Sequence, residues 1–176
     1  GKYDSTVQSI KDSLEERDDT GPFSDMSDVR ELLNNAGISD GSGVSRIEKP
    51  DSQAYAAYEW NSDTLYGSLQ FLRKGRNDSL KNYINRYTQK TRARCPGEFA
   101  AMPGKTIDAG DVTLREYDIA CFSQNMQASA SLLFGRDIDN NLIVFALEGT
   151  AQDMQRAMAV RDAFIKTFPN MRTAMR

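Results

Sequence analysis

Apolar residues recur along this chain in two rhythms, one helical and one alternating, and the order in which they take turns predicts the architecture. Val29, Leu32, Leu33 and Ala36 mark the inward face of a short helix. Asp25 or Ser27 can cap its start, and Gly37 followed by Ile38 supplies a stop. Residues 39–51 are polar and glycine-rich, with Val44 and Ile47 as their apolar anchors, and read as loop or a short edge strand ended by Pro50. Ala54–Trp60 and Thr64–Leu72 then flank Asn61-Ser62-Asp63, the pattern of a β-hairpin with a three-residue connection. Leu80, Tyr83, Ile84 and Tyr87 return to helical spacing, capped by Asp78 or Ser79 and ending near Arg94. Val112–Phe122, Gln127–Gly135 and Asn141–Gly149 alternate as three strands. The last is apolar on both faces, so it should be central and covered twice. Thr150 and Asp153 open a final helix that carries Met154, Ala157, Phe164 and Phe168 and stops before Pro169.

The resulting order is α-(β)-β-β-α-β-β-β-α. Strands joined by short turns are antiparallel neighbours, so the expected class is α+β, an antiparallel sheet of about five to six strands packed against amphipathic helices. A chain of 176 residues suits one hydrophobic core, assigned to 25–176. Residues 1–24 stand apart as an N-terminal arm or tether. Tyr3, Val7, Ile10 and Leu14 make a narrow apolar stripe over 2–17 that runs into Glu15, Glu16, Asp18 and Asp19 before Gly21-Pro22. Acidic residues oppose the dipole at a helix C-terminus, so this stripe needs a partner surface, and a homodimer through 2–17 is one candidate.

Charge is unevenly placed. The net charge is −3, which argues against general nucleic-acid affinity, but residues 71–94 hold eight cations against Asp78 alone. On the predicted helix Lys81, Arg86, Lys90, Arg92 and Arg94 form a candidate surface for an anionic partner. Cations near a helix C-terminus also simply favour its dipole, which is the plainer account. On the hairpin Tyr58, Trp60 and Tyr66 form a candidate aromatic contact for a sugar, peptide or lipid headgroup, against the plainer account that most of them are core. Alternation puts Tyr58 and Trp60 on one face and Tyr55 on the other.

Two cysteines remain, Cys95 after the helix and Cys121 at a strand end. The even count and that placement favour a disulfide over two buried thiols, and a disulfide favours a periplasmic or extracellular location. The opening Gly1-Lys2-Tyr3, without an initiator methionine, agrees with a removed leader or anchor. A redox role is disfavoured, because a thiol at a helix C-terminus gains none of the stabilisation that a helix N-terminus gives a thiolate.

The chain has no histidine, which excludes Ser-His-Asp and Cys-His nucleophilic sites and zinc sites that use imidazole. No dinucleotide or P-loop fingerprint occurs, so no cofactor and no catalytic residue is assigned. Asp137, Asp139, Asn141 and Glu148 imitate a calcium loop, but Leu142 stands at the obligatory glycine, so Asp137–Asn141 reads as a hairpin turn and no metal is assigned.

The helix Asp28–Ala36 ending in Gly37, the hairpin, and the helix bearing Asn82, Tyr83, Asn85 and Tyr87 resemble the secretion-chaperone-like layout of YbjN-type proteins. The later strands with a closing helix ending at Phe168 are similar to the PsbP-like α/β/α sandwich. Arg94-Cys95-Pro96-Gly97 with Ala120-Cys121 resembles small exported α-proteobacterial proteins of unknown function. These resemblances imply a fold and export, and no functional residue. The expectation is therefore an exported, non-catalytic domain that binds a protein or envelope component. The alternative is a small-ligand carrier or histidine-independent enzyme with a pocket between sheet and helices.

Overall fold

A computed structural model describes residues 23–39, 43–48, 54–73, 79–137 and 141–174, with side chains to Pro169. The arm expected over 1–24, and with it the dimer contact assigned to 2–17, lies outside the described residues except for Phe23 and Ser24. Helix α1 spans Met26–Asn35 and α2 Leu80–Arg94, while α3 follows a short 3₁₀ turn and spans Met154–Ala174. The strands are β1 Ser45–Arg46, β2 Ala54–Ser62, β3 Leu65–Leu72, β4 Glu98–Ala109, β5 Val112–Ser123, β6 Met126–Arg136 and β7 Leu142–Thr150. All pairings are antiparallel, and the seven strands form one sheet in the order β1-β2-β3-β7-β6-β5-β4.

The class is α+β, but the strand count and element order differ from expectation. The sheet has seven strands, not five or six, and the order is α-β-β-β-α-β-β-β-β-α. The whole of β4 is the addition. Its Pro103-Gly104 pair sits at a register shift between Pro103 and Thr106 on an edge strand. An edge tolerates proline because the missing N–H would point away from the sheet. The final helix also continues through Pro169, since proline near a helix end forgoes one hydrogen bond and need not stop the chain. The hairpin turn is tighter than expected. Ser62 pairs with Leu65, leaving Asp63 and Thr64 as the turn, with Asp63 at φ 53°.

Local rules account for most boundaries. Asp25 accepts a hydrogen bond from Ser27 N–H at the start of α1. At its end Ile38 N–H donates to Leu33 O and Gly37 N–H to Asn34 O, with Gly37 at φ +70°. This is a Schellman stop, which glycine meets without a Cβ clash. Ser79 caps α2 by accepting from Asn82 N–H. Thr150 and Asp153 form a reciprocal capping box before α3. Asn141 N–H donates to Asp137 Oδ1, and Asp137 N–H to Asn141 O, closing the β6–β7 hairpin.

Strand β7 is the middle of the seven, and its two faces divide the core. Ile143, Phe145 and Leu147 join α1 and α3 through Leu32, Leu33, Phe164 and Phe168. Leu142, Val144 and Ala146 join α2 through Leu80 and Ile84. The result is three layers, with α1 and α3 on one side of the sheet and α2 on the other. Aromatic rings fill the first interface: Phe164 stacks on Phe145 at 4.1 Å between centroids and on Phe168 at 5.1 Å. Trp60 packs beside Phe145, and only a glycine at position 67 fits under it, because a Cβ there would lie 2.2 Å from the indole.

Candidate functional site

Helix α2 packs on its face of the sheet through Leu80 and Ile84, and a cleft remains between the sheet and the helix from Tyr83 to Arg94. The cleft left between helix and sheet has a volume of about 590 Å³, within the range of small-ligand sites. One wall is α2, through Tyr83, Arg86, Tyr87, Lys90, Thr91 and Arg94. The floor is Ile119 and Ala130, and the far side holds Gln70 and Glu148. Register explains the floor: Ile119 pairs with Ala130, Ala130 with Glu148, and Glu148 with Tyr66, so these four form one row across the sheet on the α2 side.

Arg86, Lys90 and Arg94 recur every four residues, which on a helix places them on one stripe about 6 Å apart along the axis. Tyr83 and Tyr87 form the neighbouring stripe, and both rings meet Phe134 edge-on. The structure thus brings together three of the five cations picked out by the sequence. The other two stand apart: Lys81 is exposed in the first turn, and the Arg92 guanidinium lies 4.6 Å from the centre of the Phe99 ring, a cation–π contact. Arg86 lies over Tyr83 at 5.9 Å. Lys90 and Arg94 have no ion-pair partner among the described residues.

Burial opposes ionisation of the cleft's other groups. The Tyr87 hydroxyl is pushed well above its ordinary range, first by loss of water and then by the negative charge of Glu148. Glu148 itself is raised by desolvation, although its side chain still reaches solvent at the cleft rim. Beside it Tyr66 donates a short hydrogen bond to Glu59 and is pushed up to about 12, by burial first and that hydrogen bond next.

The aromatic trio of the hairpin is split. Tyr58 is fully buried, and its hydroxyl donates to Phe23 O at 2.7 Å. Trp60 is 2% exposed, so neither residue offers a contact surface. Tyr66, 36% exposed, does. Tyr55 packs against the same core as Tyr58 and Trp60 rather than on the opposite face, because a register shift between Ala54 and Ala56 interrupts the alternation.

Cys95 and Cys121 are joined, with Cα atoms 5.8 Å apart. The bond fixes the C-terminus of α2 to β5, directly after Arg94, and so holds the cationic wall at its far end. On the opposite face lies a polar cluster that sequence reasoning missed. Arg161 of α3 is 2% exposed. Its Nη1 donates to Asp118 Oδ1 at 3.0 Å, Tyr117 O at 3.1 Å and Leu132 O at 3.3 Å. Glu116 lies 3.8 Å from Nη2, and Ser131 donates to the same oxygen of Asp118. The available signal was an arginine amid Ala157, Phe164 and Phe168, facing carboxylates at inward positions of β5.

No family model matches the chain, and no curated protein matches it, so neither family resemblance noted above is matched. Two solved structures are similar in outline. PA94 of Pseudomonas aeruginosa, a protein of unknown function, is 11% identical with a TM-score of 0.45, over 70% of this chain and 78% of that one. LpqN of Mycobacterium tuberculosis, described as involved in cell envelope biogenesis, is 10% identical with a TM-score of 0.41, over 70% and 75%. Neither likeness assigns a role to any residue of the cleft. No helix among the described residues is long and apolar enough to cross a membrane.

Proposed function

We propose that this is an extracytoplasmic, non-catalytic domain that binds an anionic envelope component in the cleft beneath α2. One observation carries the reading: a stripe of three cations lines an open cleft, and two of them, Lys90 and Arg94, form no ion pair among the described residues. Charges left facing each other cost energy that an incoming anion recovers, and the apolar floor strengthens the attraction by lowering the local dielectric. The Cys95–Cys121 bond supports an oxidising compartment. The cleft lies where a carrier would also have its pocket, and the absence of histidine from the chain supports binding over catalysis.

A Lys90→Gln/Arg94→Gln double variant should therefore bind a simple anion at least about tenfold more weakly, near 1.4 kcal/mol. Titration of the full chain with N-acetyl-tri-alanine and with inorganic phosphate, followed by amide NMR shifts, checks this. Added salt should weaken binding to the native chain and matter less in the variant. Equal affinity of the two proteins would remove the cleft as the anion site.

A further inference from the structure

The far side of the cleft carries the opposite charge, and this narrows the ligand. Glu148 points from β7 into the cleft that Arg86, Lys90 and Arg94 line, yet it forms no ion pair within 4 Å among the described residues. Its row neighbour Tyr66 holds Glu59, whose partner Ser68 lies on the same face as Tyr66, so a second carboxylate stands on the uncovered part of the sheet. The helix wall is thus cationic and the sheet side acidic.

A ligand that is purely anionic gains from the helix but is repelled by Glu148. A ligand with a second, positive group turns that repulsion into attraction. We infer that the cleft takes a zwitterion, its carboxylate or phosphate held by Lys90 and Arg94 and its protonated amine received by Glu148, with the face of Tyr66 beside it. This rests on the anion-binding reading and adds the second half of the ligand. The acid–amine pair occurs both in a peptide with free termini and in a phosphoethanolamine headgroup. The loss of water that raises the proton affinity of Glu148 also makes the carboxylate a stronger acceptor for an ammonium.

Four probes titrated into the full chain at neutral pH test it: tri-alanine, N-acetyl-tri-alanine, phosphoethanolamine and inorganic phosphate. At least one amine-bearing probe should bind about tenfold more tightly than its amine-free counterpart, and whichever pair shows the difference names the acid group. Glu148→Gln should abolish that difference while leaving the amine-free probes bound equally or better, since a repulsion is removed. Its unfolding midpoint serves as the control for a folding defect. If amine-free probes bind but the amine adds nothing, the zwitterion is overturned and the anion site stands. If Glu148→Gln weakens every probe alike, Glu148 does not receive the amine. If no probe binds, both readings fall.

Discussion

Replacing Arg161 with alanine should destabilise the protein by about 3–5 kcal/mol, the largest loss expected from any single side chain here. The guanidinium is the only cation that reaches Asp118 and Glu116 across the α3 interface among the described residues. Removing it leaves two carboxylates facing each other with their countercharge gone, and it also strips the carbonyls of Tyr117 and Leu132 of a donor. Coulomb attraction is not the whole cause, since desolvating an ion pair costs much of what the pair returns. The decisive comparison is therefore a triple variant, Arg161→Met with Glu116→Gln and Asp118→Asn, which should recover more than half of the loss. Urea unfolding with an unchanged slope reads both. A loss under about 1 kcal/mol in Arg161→Ala would mean that α3 is held by its phenylalanines alone.

Removing the disulfide, by Cys95→Ala with Cys121→Ala, should cost about 3.5 kcal/mol, the loop-closure entropy of a 27-residue ring. For a domain of ordinary stability that is a quarter or more of the total. The effect should not stop at stability. Helix α2 touches the sheet through few buried residues, Leu80 and Ile84 with help from Tyr83 and Tyr87, and Leu80 and Ile84 lie in its first half. The half that carries Lys90 and Arg94 depends on the bond at its end. The variant should therefore bind anions more weakly even in conditions where it remains folded, and mild reduction of the native protein should do the same. The unreduced native protein should show no titratable thiol under denaturant. Two thiols, or full anion affinity in the double variant, would contradict this account of the wall.

Much of the fold was legible because local and global signals agree. In β7, alternation held on both faces at once, and its central position followed from covering both. The caps at Asp25, Ser79 and Thr150 each stood before an apolar run and each formed. Strand β4 was not legible, because an edge strand exposed along most of its length has little hydrophobic pattern to show and carries a Pro-Gly pair besides. The site was legible by half. Arg86, Lys90 and Arg94 are visible as helical neighbours, but the residues they face come from β3, β5, β6 and β7, and only the strand order brings Gln70, Ile119, Ala130 and Glu148 together. Trp60 looked available in sequence because it stands near a turn. Gly67 on the partner strand makes the space that buries it. Arg161 was hidden by its class, since an arginine in an apolar stripe reads as a surface residue until its carboxylates are found on another element.

The most direct test of the binding site is a map of amide shifts in the full chain as N-acetyl-tri-alanine and phosphoethanolamine are added. The structure predicts shifts concentrated over 83–94 and at Ile119, Ala130 and Glu148, with α1 and α3 unmoved on the other side of the sheet. Shifts confined to α1, α3 or the free edge of β4, with α2 silent, would contradict a ligand cleft beneath that helix.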